Sequence, residues 1–210
     1  MNSVLIEPQD DGFVVIQNGE KLKGAFGSLP LWFETEAAAR NYADNKDKQE
    51  DTMQLAIQTL ATQLRYKTGN PMHLNMEGIL NALNADALFY PYPGPEAVEQ
   101  YSYFLPVREF LEQQGMTWRD LELSKKYTAE EATALLTLIN SLSLTQQAHL
   151  LYLILNTQNL FIAPLGYITG HISLHAFLQA WLYNADAPVS KNSKAYKNLE
   201  AMMIRLNTTP

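Results

Sequence analysis

The chain has 210 residues, a hydrophobic fraction of 47%, a formal net charge of −7 and no cysteine. That length allows one domain or two small ones, each with a core, and the composition is that of a folded protein. The acidic balance argues against a general nucleic-acid binder, which needs a basic field, and the lack of cysteine excludes disulfides, thiolate metal sites and cysteine nucleophiles.

The start of the chain, Met1 to Asp11, has neither the basic nor the apolar region of a signal peptide. The apolar stretches Leu150 to Leu155 and Leu160 to Leu165 are too short to span a bilayer. A soluble setting without membrane insertion is therefore expected.

The first quarter alternates and turns. Val4 to Glu7 and Phe13 to Gln17 are β-rich runs, separated by the turn residues Pro8 to Gly12. Asn18-Gly19 follows the second run directly and is a strong hairpin signal, because both residues tolerate positive φ. Glu20 to Ala25 reads as the returning strand and Leu31 to Phe33 as a short apolar one, giving three or four antiparallel strands. So few strands need something to pack on. Thr35 is a plausible N-cap for a helix through Ala37, Ala38, Ala39, Tyr42 and Ala43. The charged run Asp44 to Asp51 marks the expected boundary, with a small β-rich domain over 1–50 and a helical domain over 51–210.

From Thr52 the apolar period becomes that of a helix, with Met53, Leu55, Ala56, Leu60 and Leu64 on one broad face. Gly69-Asn70-Pro71 stops that helix, and Met76, Ile79, Leu80 and Leu83 make the next. Pro93-Gly94-Pro95 is a firm break before a helix through Val98, Tyr101, Leu105 and Phe110, kinked at Pro106 and ended by Gly115. Thr128 to Glu131 and Ser143 to Gln146 both have capping-box form and predict two successive helices. A further helix spans roughly Leu160 to Ile168, Gly170 breaks it, and Ser173 caps one through Phe177, Leu178 and Trp181. Pro188 ends that element, and a last, basic helix carries Leu199, Met202 and Met203 on one side. The fold class is α+β: a small N-terminal antiparallel β domain followed by a larger all-helical domain.

No catalytic motif is present. His171 and His175 have metal-ligand spacing on a helix, but Ser173 as a cap places His171 outside it, and no third ligand is near in sequence. The G-x-x-x-G spacing of Gly166 and Gly170 reads as close helix contact. The aromatic block Phe89 to Pro93 is either a joint between helical layers or a recognition surface. Phe89 is favoured as buried, while Tyr90 and Tyr92 divide evenly between the two. An enzyme would need a pocket around Asp86, His73 or His171.

Several residue groups, taken in order, resemble the assembly chaperones that hold the α subunit of the F-type ATP synthase before it joins β. They are Gly12 to Lys23 with its Asn18-Gly19 turn, Leu29-Pro30-Leu31, Thr35 to Ala43, Asp51 to Leu55, Asp86 to Tyr90 and Pro95-Glu96-Ala97. Two places depart from that pattern. Asp44-Asn45 stands near the family's acid–tryptophan pair. In the late helix Asp186 matches an aspartate, but the following glutamate falls at Ala187, and the Gln and Trp-Gly are absent.

The resemblance implies a non-enzymatic chaperone without cofactor or metal. It would be a monomer in a bacterial cytoplasm, or in the mitochondrial matrix if the chain is processed. Its partner would be the unassembled α subunit, met through Tyr90, Tyr92, Trp181 and Asp186. Trp181 is read either as an exposed anchor or as core. The alternative is a divergent interaction module that kept the scaffold and lost this client.

Overall fold

The Asn18-Gly19 pair closes the hairpin between the second and third strands, with φ of +52° and +84° at its two residues. Positive φ at both central positions matches the right-handed twist of the flanking strands. In this computed structural model, which describes residues 4–24, 29–45, 51–67, 74–91, 96–187 and 189–208, that turn sits inside a four-stranded antiparallel sheet. Strand β1 (Val4–Gln9) pairs with β2 (Gly12–Gln17) along its full length, from Val4 opposite Gln17 to Gln9 opposite Gly12. The other edge of β2 is shared. The short β3 (Glu20–Lys21) pairs with Ile16 and Gln17, and β4 (Trp32–Phe33) pairs with Phe13 and Val14. The returning strand expected over Glu20 to Ala25 is thus cut short, with one further bridge from Lys23 to Pro30.

The chain forms two compact units. The first comprises Met1–Pro71, Ser143–Tyr152 and Ile204–Pro210. Val15, Leu31 and Phe33 are buried there with Ala39, Tyr42 and Ala43 of α1 (Glu36–Asn45). Thr35 caps α1, accepting from the Ala38 N–H at 3.1 Å. Helix α2 (Asp51–Tyr66) is bound to β4 through polar groups. The Thr62 hydroxyl accepts from the Trp32 N–H at 3.0 Å, and the Gln58 amide donates to the Trp32 carbonyl. The compact unit that holds the sheet thus runs on through α2. The residues between α1 and α2, 46–50, lie outside the described set, as do Gly69–Pro71 and Pro93–Pro95.

The second unit comprises Met72–Leu142 and Leu153–Met203. It holds α3 (Met76–Asn84), a 3-10 turn at Ala87–Phe89, α4 (Glu96–Gln113) with Pro106 inside it, and α5 (Thr133–Asn140). The chain passes from one unit to the other within α6 (Leu144–Asn156). Helices α7 (Ile162–Ile168) and α8 (Leu174–Asn184) follow, and α9 (Lys194–Thr208) is the last. Phe104, Val107, Phe110 and Leu111 of α4 are buried, as are Leu165 of α7 and Phe177, Leu178 and Trp181 of α8. Among the described residues no helix is long and apolar enough to cross a membrane.

Both predicted capping boxes form. Glu131 accepts from the Thr128 N–H at 2.8 Å, and Gln146 accepts from the Ser143 N–H at 3.0 Å. The Thr128 box leads into a turn, and regular helix starts only at Thr133. Gly166 approaches its neighbours as the spacing implied: a Cβ there would strike the Ile172 and Phe110 side chains. Gly170 acts differently. It takes φ +77° and closes α7, donating to the Tyr167 carbonyl while His171 N–H reaches Gly166.

Candidate partner-binding site

One loop, residues 157–161, gathers the segments that carry the predicted contact residues. Gln158 and Asn159 turn it with φ of +53° and +67°. On one side, the Asn159 carbonyl accepts from the Ala87 N–H at 3.0 Å. Asp86, 0% exposed, accepts from Phe161 and Ile162 N–H at 2.8 and 2.7 Å through one carboxylate oxygen. Its other oxygen caps the 3-10 turn, accepting from Leu88 N–H at 2.8 Å. On the other side, the Asn184 amide at the end of α8 donates to the Thr157 and Gln158 carbonyls at 3.0 and 2.7 Å. The Asp86–Tyr90 segment and the end of α8 are therefore fixed to the same five residues.

Burial pushes the Asp86 carboxyl up to about 6, against the three amides that stabilise its charge. With both oxygens occupied by backbone, Asp86 positions the loop and is not offered to a ligand.

The four predicted contact residues fare differently. The Tyr90 ring is half-buried, and its hydroxyl donates to the Asn84 carbonyl at 2.7 Å, while its own carbonyl accepts from Gln100 at 3.4 Å. Tyr92 lies outside the described residues, as does His73. Trp181 is 7% exposed, with its ring 5.6 Å from Phe177, which stacks on Tyr167 at 4.9 Å. Of its two readings the structure takes the core one, because the helix face that carries Phe177 and Trp181 is turned inward.

Asp186 is exposed and has φ +52°. Its N–H donates to the Tyr183 carbonyl at 3.0 Å, and the Ala187 N–H donates to Leu182 at 2.8 Å. This pair of bonds is a Schellman closure with Asp186 at the position glycine usually holds. Asp186 thus ends α8 while its carboxylate faces water. Glycine holds the same place at the end of α4, where Gly115 has φ +78°.

Sequence reasoning missed Asn84 and Asn184. Asn84 fixes Tyr127 in both directions, accepting from its N–H at 2.8 Å and donating to its carbonyl at 3.2 Å. An asparagine in the last turn of a helix was the available signal, since its short amide can reach the chain that follows. His171 and His175 are engaged locally: His171 Nδ1 lies 2.9 Å from the Thr169 hydroxyl and His175 Nδ1 lies 2.7 Å from the Tyr196 hydroxyl.

No family model matches the sequence, and no curated protein matches it either. Solved structures do. The crystal structure of Atp12 from Paracoccus denitrificans superposes with a TM-score of 0.66 over 99% of this chain and 91% of that one, at 16% identity. An aspartate-to-lysine variant of the same protein gives the same values. The chain has the Atp12 fold. At this identity the likeness is one of fold, running from the β unit through the last helix, and it agrees with the α+β order read from the sequence.

Proposed function

We propose that the chain is a non-enzymatic assembly chaperone that transiently binds the unassembled α subunit of the F-type ATP synthase before it pairs with β. The observation that carries this reading is the Atp12 fold over 99% of the chain, Atp12 being an ATP synthase α assembly chaperone. The ordered residue groups that resemble the same family support it independently. Capture and release require exposed apolar side chains and no bond chemistry. Val98, Tyr101, Leu105 and Leu123 are exposed. Tyr90 and Asp186, held on the two sides of the 157–161 loop, are the contact residues kept in this proposal, and Trp181 supports α8 from inside. The setting would be a bacterial cytoplasm or a mitochondrial matrix.

The test is co-capture. The chain is immobilised and challenged with separately expressed α and β subunits from the same genome. Selective retention of α, lost when β is added, is expected. Equal retention of both, or of neither, would favour the second reading, a divergent interaction module that has lost this client. Ala187, standing where the family carries a glutamate, is the observation behind that alternative.

A further inference from the structure

Helix α4 has a polar and an apolar problem on the same outer face. Val98, Tyr101 and Leu105 are 75%, 48% and 37% exposed, although the opposite face buries Phe104, Val107 and Phe110. With Arg108 they follow a 3-4-3 spacing, the seam along which one helix receives another.

Arg108 closes this stripe in an unusual state. Its guanidinium carbon lies 3.8 Å from the centre of the Trp118 ring and 4.5 Å from that of Tyr101. Trp118 is itself fixed, its indole N–H donating to the Leu88 carbonyl at 2.9 Å. The Arg108 Nε is buried without a hydrogen-bond partner. Among the described residues no carboxylate pairs with the guanidinium; Glu112, one turn on, acts on it only through space. Two rings thus hold a planar cation in place while its Nε is left without a hydrogen-bond partner. Guanidinium so held suits a carboxylate, which it can meet with two parallel bonds.

We infer that the Val98–Tyr101–Leu105–Arg108 stripe is a docking seam for an amphipathic helix of the client, whose apolar side chains cover Val98 and Leu105 and whose carboxylate meets Arg108. The stripe runs about 15 Å along the helix, short enough for a weak, releasable contact. This inference rests on the chaperone reading, with the unassembled α subunit as the client.

The test is titration of separately expressed α subunit into the wild-type chain and two variants, with a melting curve for each. Val98→Glu changes a side chain three-quarters exposed, so its melting temperature should stay that of the wild type. It should bind α about tenfold more weakly, as an acid placed in the seam. Arg108→Gln should weaken binding by a similar factor and flatten its salt dependence. If wild type binds α and Val98→Glu binds it equally, the seam is wrong while the chaperone reading stands. Loss with Arg108→Gln alone also overturns it, because that change loosens Trp118 as well. If wild type does not bind α, both readings fall.

Discussion

Asp86 and Asp186 are both acids at chain turns, and their surroundings give them opposite work. Asp86 serves backbone amides at Leu88, Phe161 and Ile162. Asp86→Ala would leave three buried N–H groups unpaired, each costing roughly 1–3 kcal/mol. We expect the urea midpoint to fall accordingly; an unchanged midpoint would mean that water replaces the carboxylate. Asp186 sits where the left-handed backbone disfavours any side chain. Asp186→Gly should raise stability by up to about 1 kcal/mol. If the carboxylate touches the client, the same variant should hold α subunit less well, so stability and capture move in opposite directions. Trp181→Ala should instead cost roughly 3–5 kcal/mol, since the indole is core. These roles differ in how far the sequence announces them. Gly115 and Gly170 were legible as helix ends because glycine is cheap at positive φ. Asp186 was not, because aspartate has many uses at a helix end. Asp86 was legible as a marker of the aromatic segment but not as a clasp, since two of its partners are backbone amides some 75 positions on, which no residue type reveals.

Elements were most legible where a local bond decides them. The Asn18-Gly19 hairpin, the Thr35 and Ser173 caps and both capping boxes each need only residues within three or four positions. Ser173 accepts from the Ala176 N–H at 3.2 Å at the start of the helix that carries Phe177 and Trp181. Ser173→Ala should cost about 1 kcal/mol, read as a lower denaturation midpoint with unchanged slope. A change in slope instead would show that α8 frays on its own. Less legible was β4, only two residues long and set by a pairing with Phe13 and Val14 on the far side of a hairpin. Gly12 reads as a turn residue, yet a Cβ there would strike the Trp32 indole nitrogen and lie 2.5 Å from the Phe33 carbonyl. The close approach of β4 to β2 is what requires the glycine. The α4 seam was half visible: its apolar positions were in the sequence, but the same spacing describes a buried stripe. Only exposure, and the unpaired Arg108, separate the two.

At the scale of the whole chain, contacts divide the molecule into two compact units, each built from separate stretches of sequence. The compact unit that holds the sheet includes α2 and also takes Ser143–Tyr152. Thr145, in that returning stretch, donates its N–H to Glu34 at 3.4 Å. Such pairing over more than a hundred residues leaves no local trace in the sequence. It also distributes two buried titrating groups, one to each unit. His149 lies in the sheet unit and Asp86 in the helical one. Burial pulls the His149 imidazole down to about 4 from 6.5 and pushes Asp86 up to about 6 from 3.8. Between 6.5 and 4 the unfolded histidine takes a proton that the folded one refuses, so acid weakens the sheet unit. Between 6 and 3.8 the folded aspartate keeps a proton that the unfolded one has released, so acid strengthens the helical unit. Acidification from pH 7 to pH 5 should therefore shift each by roughly 1–2 kcal/mol in opposite directions. Hydrogen exchange, corrected for its intrinsic pH dependence, should show β2 and α1 amides losing protection while α7 and α8 amides gain it. His149→Gln should abolish the loss and leave the gain. Were both sets of amides to move together, the two units would be unfolding as one, and the opposed titrations would nearly cancel in a single transition.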